Sequence, residues 1–199
     1  MSTIRPMATL LAAAALLLPA TAQPLRYPAA PRALAPQSRP YHRSGKFVRH
    51  HGRLHVSGTQ LVDQHGEKIV LRGLSLGWHS LWPRFYNPEA VQWMKQDFSC
   101  NVVRAAMGIE VGERSYKKDP AFSKAKIKAV VEGAIKADMY VIIDWHSHNI
   151  NLAEYNEFFQ EMSQTYGKYP NIIYEVFNKP DYESWDVSRP AVAIQVVQS

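Results

Sequence analysis

Asn171-Ile172-Ile173-Tyr174-Glu175-Val176-Phe177-Asn178-Lys179-Pro180 reads as a β-strand that ends in a polar turn. Ile172 to Phe177 is rich in β-branched and aromatic residues, and Pro180 cannot donate to a ladder. The apolar residues run on without alternating, as in a strand covered on both faces within a parallel sheet. Three earlier runs share that character: Leu71–Leu76, Asn101–Met107 and Tyr140–Trp145. Helical patterns fill the gaps at Pro88–Phe98, Pro120–Ala137 and Ala153–Tyr166, with Pro88 early in its first turn. A further helix is expected to begin within Asp181–Val187. Strands alternating with helices predict an α/β fold with a parallel sheet.

The region before Leu71 differs. Leu54-His55-Val56 and Gln60-Leu61-Val62, split by Ser57-Gly58, predict a β-hairpin. Asp63-Gln64-His65-Gly66 reads as a turn, after which Ile69-Val70-Leu71 resumes a strand. Residues 23–45 hold Pro24, Pro28, Pro31, Pro36 and Pro40 and read as a Pro/Arg-rich linker. Met1–Ala22 has Arg5, an apolar run from Met7 to Leu18, and Ala20-Thr21-Ala22 as a small-x-small cleavage site. That is the pattern of a secretory signal peptide, so a secreted or periplasmic product is expected, with no membrane attachment after cleavage. The folded domain is expected over residues 46–199.

The formal charge of +6 does not describe that domain. Residues 1–53 hold eight of the 23 Lys and Arg and none of the 17 Asp and Glu, so the remainder has a slight acidic excess. A nucleic-acid partner is therefore not expected. Cys100 is the only cysteine and cannot form an internal disulfide; beside Val102-Val103 it reads as a small buried hydrophobe.

Polar residues gather after each strand: Trp78, His79 and Trp82 after the first, Arg104 near the end of the second, His146, His148 and Asn149 after the third, Asn178 and Lys179 after the fourth. In parallel barrels this edge is where sites assemble, because the βα loops converge there. Each residue also has a plainer reading. Arg104 can be an interior ion-pair residue, His146 a hydrogen-bonded structural histidine and Asn178 a turn former. Trp78, Trp82, Phe85 and Tyr86 can be core aromatics. His146-Ser147-His148 also resembles the His-x-His pair of zinc amidohydrolases, although no His follows position 148 to serve as a further ligand.

Taken in order, Leu71-Arg72-Gly73-Leu74-Ser75, Asn101-Val102-Val103-Arg104-Ala105-Ala106-Met107, Tyr140-Val141-Ile142-Ile143-Asp144-Trp145-His146 and Ile172 to Pro180 resemble the first four strands of glycoside hydrolase family 5, the cellulase family. The bacterial endo-β-1,4-glucanase branch is the likeness, and the hairpin resembles that family's N-terminal cap. The resemblance implies the first four βα units of a (β/α)8 TIM barrel, a β-linked polysaccharide such as cellulose as partner, and no cofactor or metal. It gives Arg104, His146, Asn178, Trp78, His79 and Trp82 substrate-binding places. It also places Lys179 where the family has its acid/base Glu.

Retaining hydrolysis needs two carboxyl groups about 5–5.5 Å apart, one donating a proton and one attacking the anomeric carbon. The resemblance puts the second carboxylate on the seventh strand, for which the 199 residues offer no match. The expectation is therefore a truncated, catalytically impaired endoglucanase. The alternative is a non-catalytic β-glucan-binding remnant. Glu175 is expected to lie deep in the strand, about 13 Å before Lys179 at strand rise, as a satisfied interior group. Asp181, Glu183 and Asp186 are expected to form a solvated face. A four-stranded portion has open edges that can pair with another chain, so poor stability or self-association is expected.

Overall fold

The computed structural model describes residues 46–149 and 151–178. The signal-peptide and linker readings, the helix expected at Asp181–Val187, and Lys179 lie outside the described residues.

The sheet is built as the apolar runs require. Four strands, β3 (Gly73–Ser75), β4 (Val102–Gly108), β5 (Tyr140–His146) and β6 (Ile172–Glu175), lie in that order and all pair in parallel. Helices α2 (Pro88–Phe98), α3 (Pro120–Ala137) and α4 (Leu152–Tyr166) connect them. The result is a partial (β/α) barrel that does not close among the described residues, with β3 and β6 as its edges. Before it come a short helix α1 (Phe47–His51), which the sequence reading did not anticipate, and an antiparallel hairpin, β1 (His55–Ser57) and β2 (Gln60–Val62).

Local chemistry sets the helix ends. Asn87 caps α2 by accepting from the Ala90 N–H at 2.7 Å, and Asp119 caps α3 by accepting from Phe122 at 3.0 Å; each is followed by proline. Ser99 and Asp138 then turn the chain through the left-handed region at φ 53° and 56°. The Asp138 carboxylate also accepts from the Val48 N–H at 3.0 Å, tying α1 to the end of α3.

One expected strand is absent. Ile69-Val70-Leu71 makes no ladder; only a single bridge joins Val62 to Lys68. The Asn101 side chain takes the place of a ladder partner. It accepts from the Arg72 N–H at 2.6 Å and donates to the Val70 carbonyl at 2.9 Å. β3 then lies so close to β4 that a Cβ at Gly73 would collide with the Val102 carbonyl.

Strand alternation divides the sheet into two faces. Val103, Ala105, Met107, Val141, Ile143 and Trp145 pack into the core under the helices. Trp145 is fully buried among Tyr116, Tyr155, Phe158 and Phe159, with ring centroids 5.5–6.2 Å apart. Cys100 is 4% exposed in the same core. On the opposite face Val102 and Tyr140 are buried, and Ile142 and Ile173 pack beside them against Val48, Ile69, Leu54 and Leu61 of the N-terminal segment. The Tyr140 hydroxyl donates to the Gly52 carbonyl at 2.7 Å. The amino end of that face is thus an apolar floor plugged by α1 and the hairpin. Its carboxyl end carries the polar residues.

Candidate functional site

Register brings the site together. Ser75 pairs with Arg104, Ala106 with Asp144, Gly108 with His146, and Asp144 with Glu175. In-register residues of parallel strands point to the same face, so Ser75, Arg104, Asp144, His146 and Glu175 share the face opposite the helices.

Arg104 is the hub. Its Nε and Nη2 donate to the two carboxylate oxygens of Glu175 at 2.7 and 2.8 Å, a bidentate pair. Nη2 also lies 2.8 Å from Asp144 Oδ2, and Nη1 donates to Ser75 Oγ at 3.2 Å. The Glu175 hydrogen bonds, against a smaller opposing effect of burial, make Arg104 more basic than usual. Glu175 is held below its ordinary range, first by Arg104 and further by Asn178, whose Nδ2 donates to Oε1 at 3.2 Å.

Asp144 lies beneath, with a fully buried side chain. Burial raises its carboxyl, opposed by His146 and Arg104. His146 Nδ1 lies 2.8 Å from Asp144 Oδ2 and donates to it when that carboxylate is ionised, which turns Nε2 away from Asp144. The Trp78 ring sits against that imidazole with centroids 5.0 Å apart. The site is therefore a histidine, an amide and an aromatic ring, fixed from below by two carboxylates and a guanidinium.

Asp144 was missed by the sequence reading, although two signals marked it. It stands two residues before His146, hence on the same face, and a lone acid in an otherwise apolar strand needs a partner. Glu175 is a satisfied group, as expected, held by Arg104 and Asn178. It is not fully interior: its side chain stays 30% exposed, and register with Asp144 puts it in the site.

His79 is not brought to the site. Its ring is fully buried. Nδ1 accepts from the Gly108 N–H at 3.1 Å, and Nε2 lies 2.8 Å from Ser123 Oγ and 3.0 Å from the Arg114 carbonyl. It ties the end of β4 to the start of α3 and is a structural histidine. Burial pushes its pKa down to about 4 from an ordinary 6.5. Between those values the unfolded chain takes up a proton that the folded ring refuses, so stability is lost as pH falls from 6.5 towards 4. The shift corresponds to about 3 kcal/mol over that window. His79→Gln is expected to flatten that part of the stability–pH curve, measured by urea unfolding at several pH values. An undiminished slope would contradict the assignment.

The aromatic cluster after β3 is of two kinds. Tyr86 is core, its hydroxyl donating to the Gly77 and Ala106 carbonyls at 2.7 and 2.8 Å. Trp82 and Phe85 are surface rings, 45% and 42% exposed, with the Arg84 guanidinium 5.4 and 4.6 Å from their centroids. Beyond β5, Ser147 and Asn151 both donate to Glu110 Oε1 at 2.6 Å, and Asn151 Nδ2 also donates to the Asn149 carbonyl at 3.0 Å. This holds the loop carrying His148 and Asn149 against the end of β4. Among the described residues, no group of three or more His, Cys, Asp or Glu side chains is placed to hold a metal ion. No helix among them is long and apolar enough to cross a membrane.

A family model described as cellulase (glycosyl hydrolase family 5) matches residues 62–197. Endoglucanase Z of Dickeya dadantii is 44% identical over 138 residues, spanning 66% of this chain and 32% of its own length. An endoglucanase of Clostridium saccharobutylicum is 40% identical over 135 residues, 65% of this chain and 30% of its own. Among solved structures, one from Cytophaga hutchinsonii aligns with a TM-score of 0.73 at 41% identity, over 77% of this chain and 51% of that one. The catalytic domain of the Thermobifida fusca endoglucanase Cel5A aligns at 0.71 and 28%, over 77% and 52%. A variant of that domain in complex with cellotetraose aligns at 0.69 and 27%, over 77% and 52%. This chain spans about a third of those curated relatives and about half of those solved structures.

Proposed function

Because the chain belongs to glycosyl hydrolase family 5, the cellulase family, we propose that its carboxyl-edge site binds a β-1,4-linked glucan such as cellulose. We propose further that hydrolysis there, by the retaining route the resemblance implies, is impaired by Lys179. The observation that carries the binding reading is the ordered set Trp78–His146–Asp144–Arg104–Glu175–Asn178, with half-buried polar groups over an apolar floor. A sugar ring offers hydroxyls to hydrogen-bonding groups and an apolar C–H face to an aromatic ring. In this reading His146 and Asn178 meet hydroxyls and Trp78 and Trp82 offer ring faces. Arg104 is a positioning residue that orders the carboxylates.

The cellotetraose complex of the Thermobifida fusca relative supports an oligosaccharide of that class. The non-catalytic reading shares every binding residue with the impaired-enzyme reading and differs only in turnover. Export through Met1–Ala22 is part of the proposal and places the protein with an extracellular polymer.

Cellotetraose titration followed by NMR tests the site. The His146 ring and Trp78 indole signals are expected to shift together and saturate. His146→Ala is expected to weaken binding roughly tenfold, the scale of a lost interfacial anchor. No shift at either residue up to millimolar sugar would refute the proposal.

A further inference from the structure

A second surface of the molecule carries unused recognition chemistry. On α2 the buried residues are Val91 and Met94, which pack into the core. The outward stripe holds Glu89, Gln92, Trp93 and Gln96, at helical spacings of three and four. Together with Pro88, Gly133 and Lys136 these side chains line an open groove between α2 and α3 of about 410 Å³. That volume is within the ordinary range for small-ligand clefts. Gly133 lets α2 and α3 pack closely at the base of the groove, since a Cβ there would press on Pro88 and Val91.

Trp93 is 51% exposed, and Phe98 stands edge-on to it at 4.9 Å between centroids. Among the described residues, the side chains of Glu89, Gln92, Gln96 and Lys136 make no hydrogen bond or ion pair. The helices lie on the face of the sheet opposite Arg104 and His146. The groove is therefore separate from the carboxyl-edge site.

We propose that this groove is a second, non-catalytic binding site for a glucan chain, with a pyranose ring stacked on Trp93. The lining suits that ligand. An exposed indole gives an apolar platform for axial C–H groups. Two carboxamides offer both donors and acceptors to vicinal hydroxyls. One carboxylate and one ammonium leave the groove without net charge, as a neutral polyol requires. A nucleic acid would need a cationic lining, and an acidic peptide would need more than Lys136. That the polymer is a β-glucan rests on the function proposed above; the site and its chemistry do not.

Depletion of the full chain from solution by insoluble cellulose tests this. Trp93→Ala is expected to weaken retention roughly tenfold, as for other aromatic anchors. Its thermal melt by circular dichroism is expected to match the parent, because the ring is half in water. Gln92→Ala combined with Gln96→Ala is expected to weaken retention without removing a ring, and decides the matter if Trp93→Ala does not fold. Retention of both variants at parental strength would overturn the proposal. Retention of the parent reports both sites together, whereas its change in these variants reports the groove and the His146 shift reports the carboxyl-edge site. Loss of retention in the Trp93 variant, with no cellotetraose shift at His146, sinks the proposed function and leaves this groove standing. The opposite pattern does the reverse.

Discussion

Arg104→Met is expected to lower stability by about 3 kcal/mol at neutral pH, the low end of the range for one partner removed from a buried ion pair. The low end applies because Glu175 keeps 30% of its side chain exposed and part of its charge is screened. The physical origin is the pair of carboxylates left behind. Asp144 is fully buried and already raised by burial, with Arg104 opposing that rise. Glu175 is depressed chiefly by the Arg104 hydrogen bonds.

A carboxylate with a depressed folded pKa contributes stability above its unfolded value, near 4.5 for Glu175, and loses it as pH falls. The gap between parent and variant should therefore narrow below about pH 4.5. Urea unfolding at pH 7 and pH 3.5 measures both. Arg104→Lys keeps the charge but not the fork and is expected to recover only part of the loss. An equal gap at both pH values would contradict the electrostatic account.

The second large effect concerns turnover. At equal molar concentration the chain is expected to release reducing ends from carboxymethyl cellulose more slowly than Endoglucanase Z of Dickeya dadantii. Loss of acid/base assistance alone costs on the order of 10²–10⁴ in rate. In the proposed reading Lys179 stands at the acid/base place. An ammonium with an ordinary pKa of about 10.4 holds its proton too tightly at neutral pH to protonate a leaving oxygen. Its fixed positive charge would also face the oxocarbenium-like centre that develops in glycoside cleavage. Glu175 does not substitute, because its carboxylate is held ionised by Arg104 and lacks the raised pKa that a general acid needs. A rate within tenfold of Endoglucanase Z would show that some other group supplies the proton.

Much of this was legible in the sequence because parallel strands and their helices have strong local signatures. The apolar runs located β4, β5 and β6, and Pro88 and Pro120 fixed the starts of α2 and α3. His146 and Asn178 could be named because they lie at or just past a strand end, whereas Arg104, expected near the end of its strand, is the third of the seven residues of β4 and reaches the site through its long side chain. Other features depended on contacts between distant segments. Ile69-Val70-Leu71 has strand composition, but the Ile69 N–H goes to the Leu61 carbonyl while the Asn101 side chain takes the Val70 carbonyl and the Arg72 N–H, and no ladder forms. His79 looks like its neighbour Trp78 in sequence, yet it turns into the gap between β4 and α3 and meets Ser123, 44 residues on. Glu175 looked like an interior acid until register with Asp144 placed it against Arg104 in the site. Asp144 was marked by its parity with His146, a signal that gains meaning only once register is known.

Binding and cleavage by this chain are separable in one tube. The full chain is mixed with insoluble cellulose, and depletion of protein and release of reducing ends are read from the same supernatant. Saturable depletion is expected, with reducing ends released at least about a hundredfold more slowly than by Endoglucanase Z at equal concentration. Release within tenfold of that enzyme, or the absence of depletion, would contradict this.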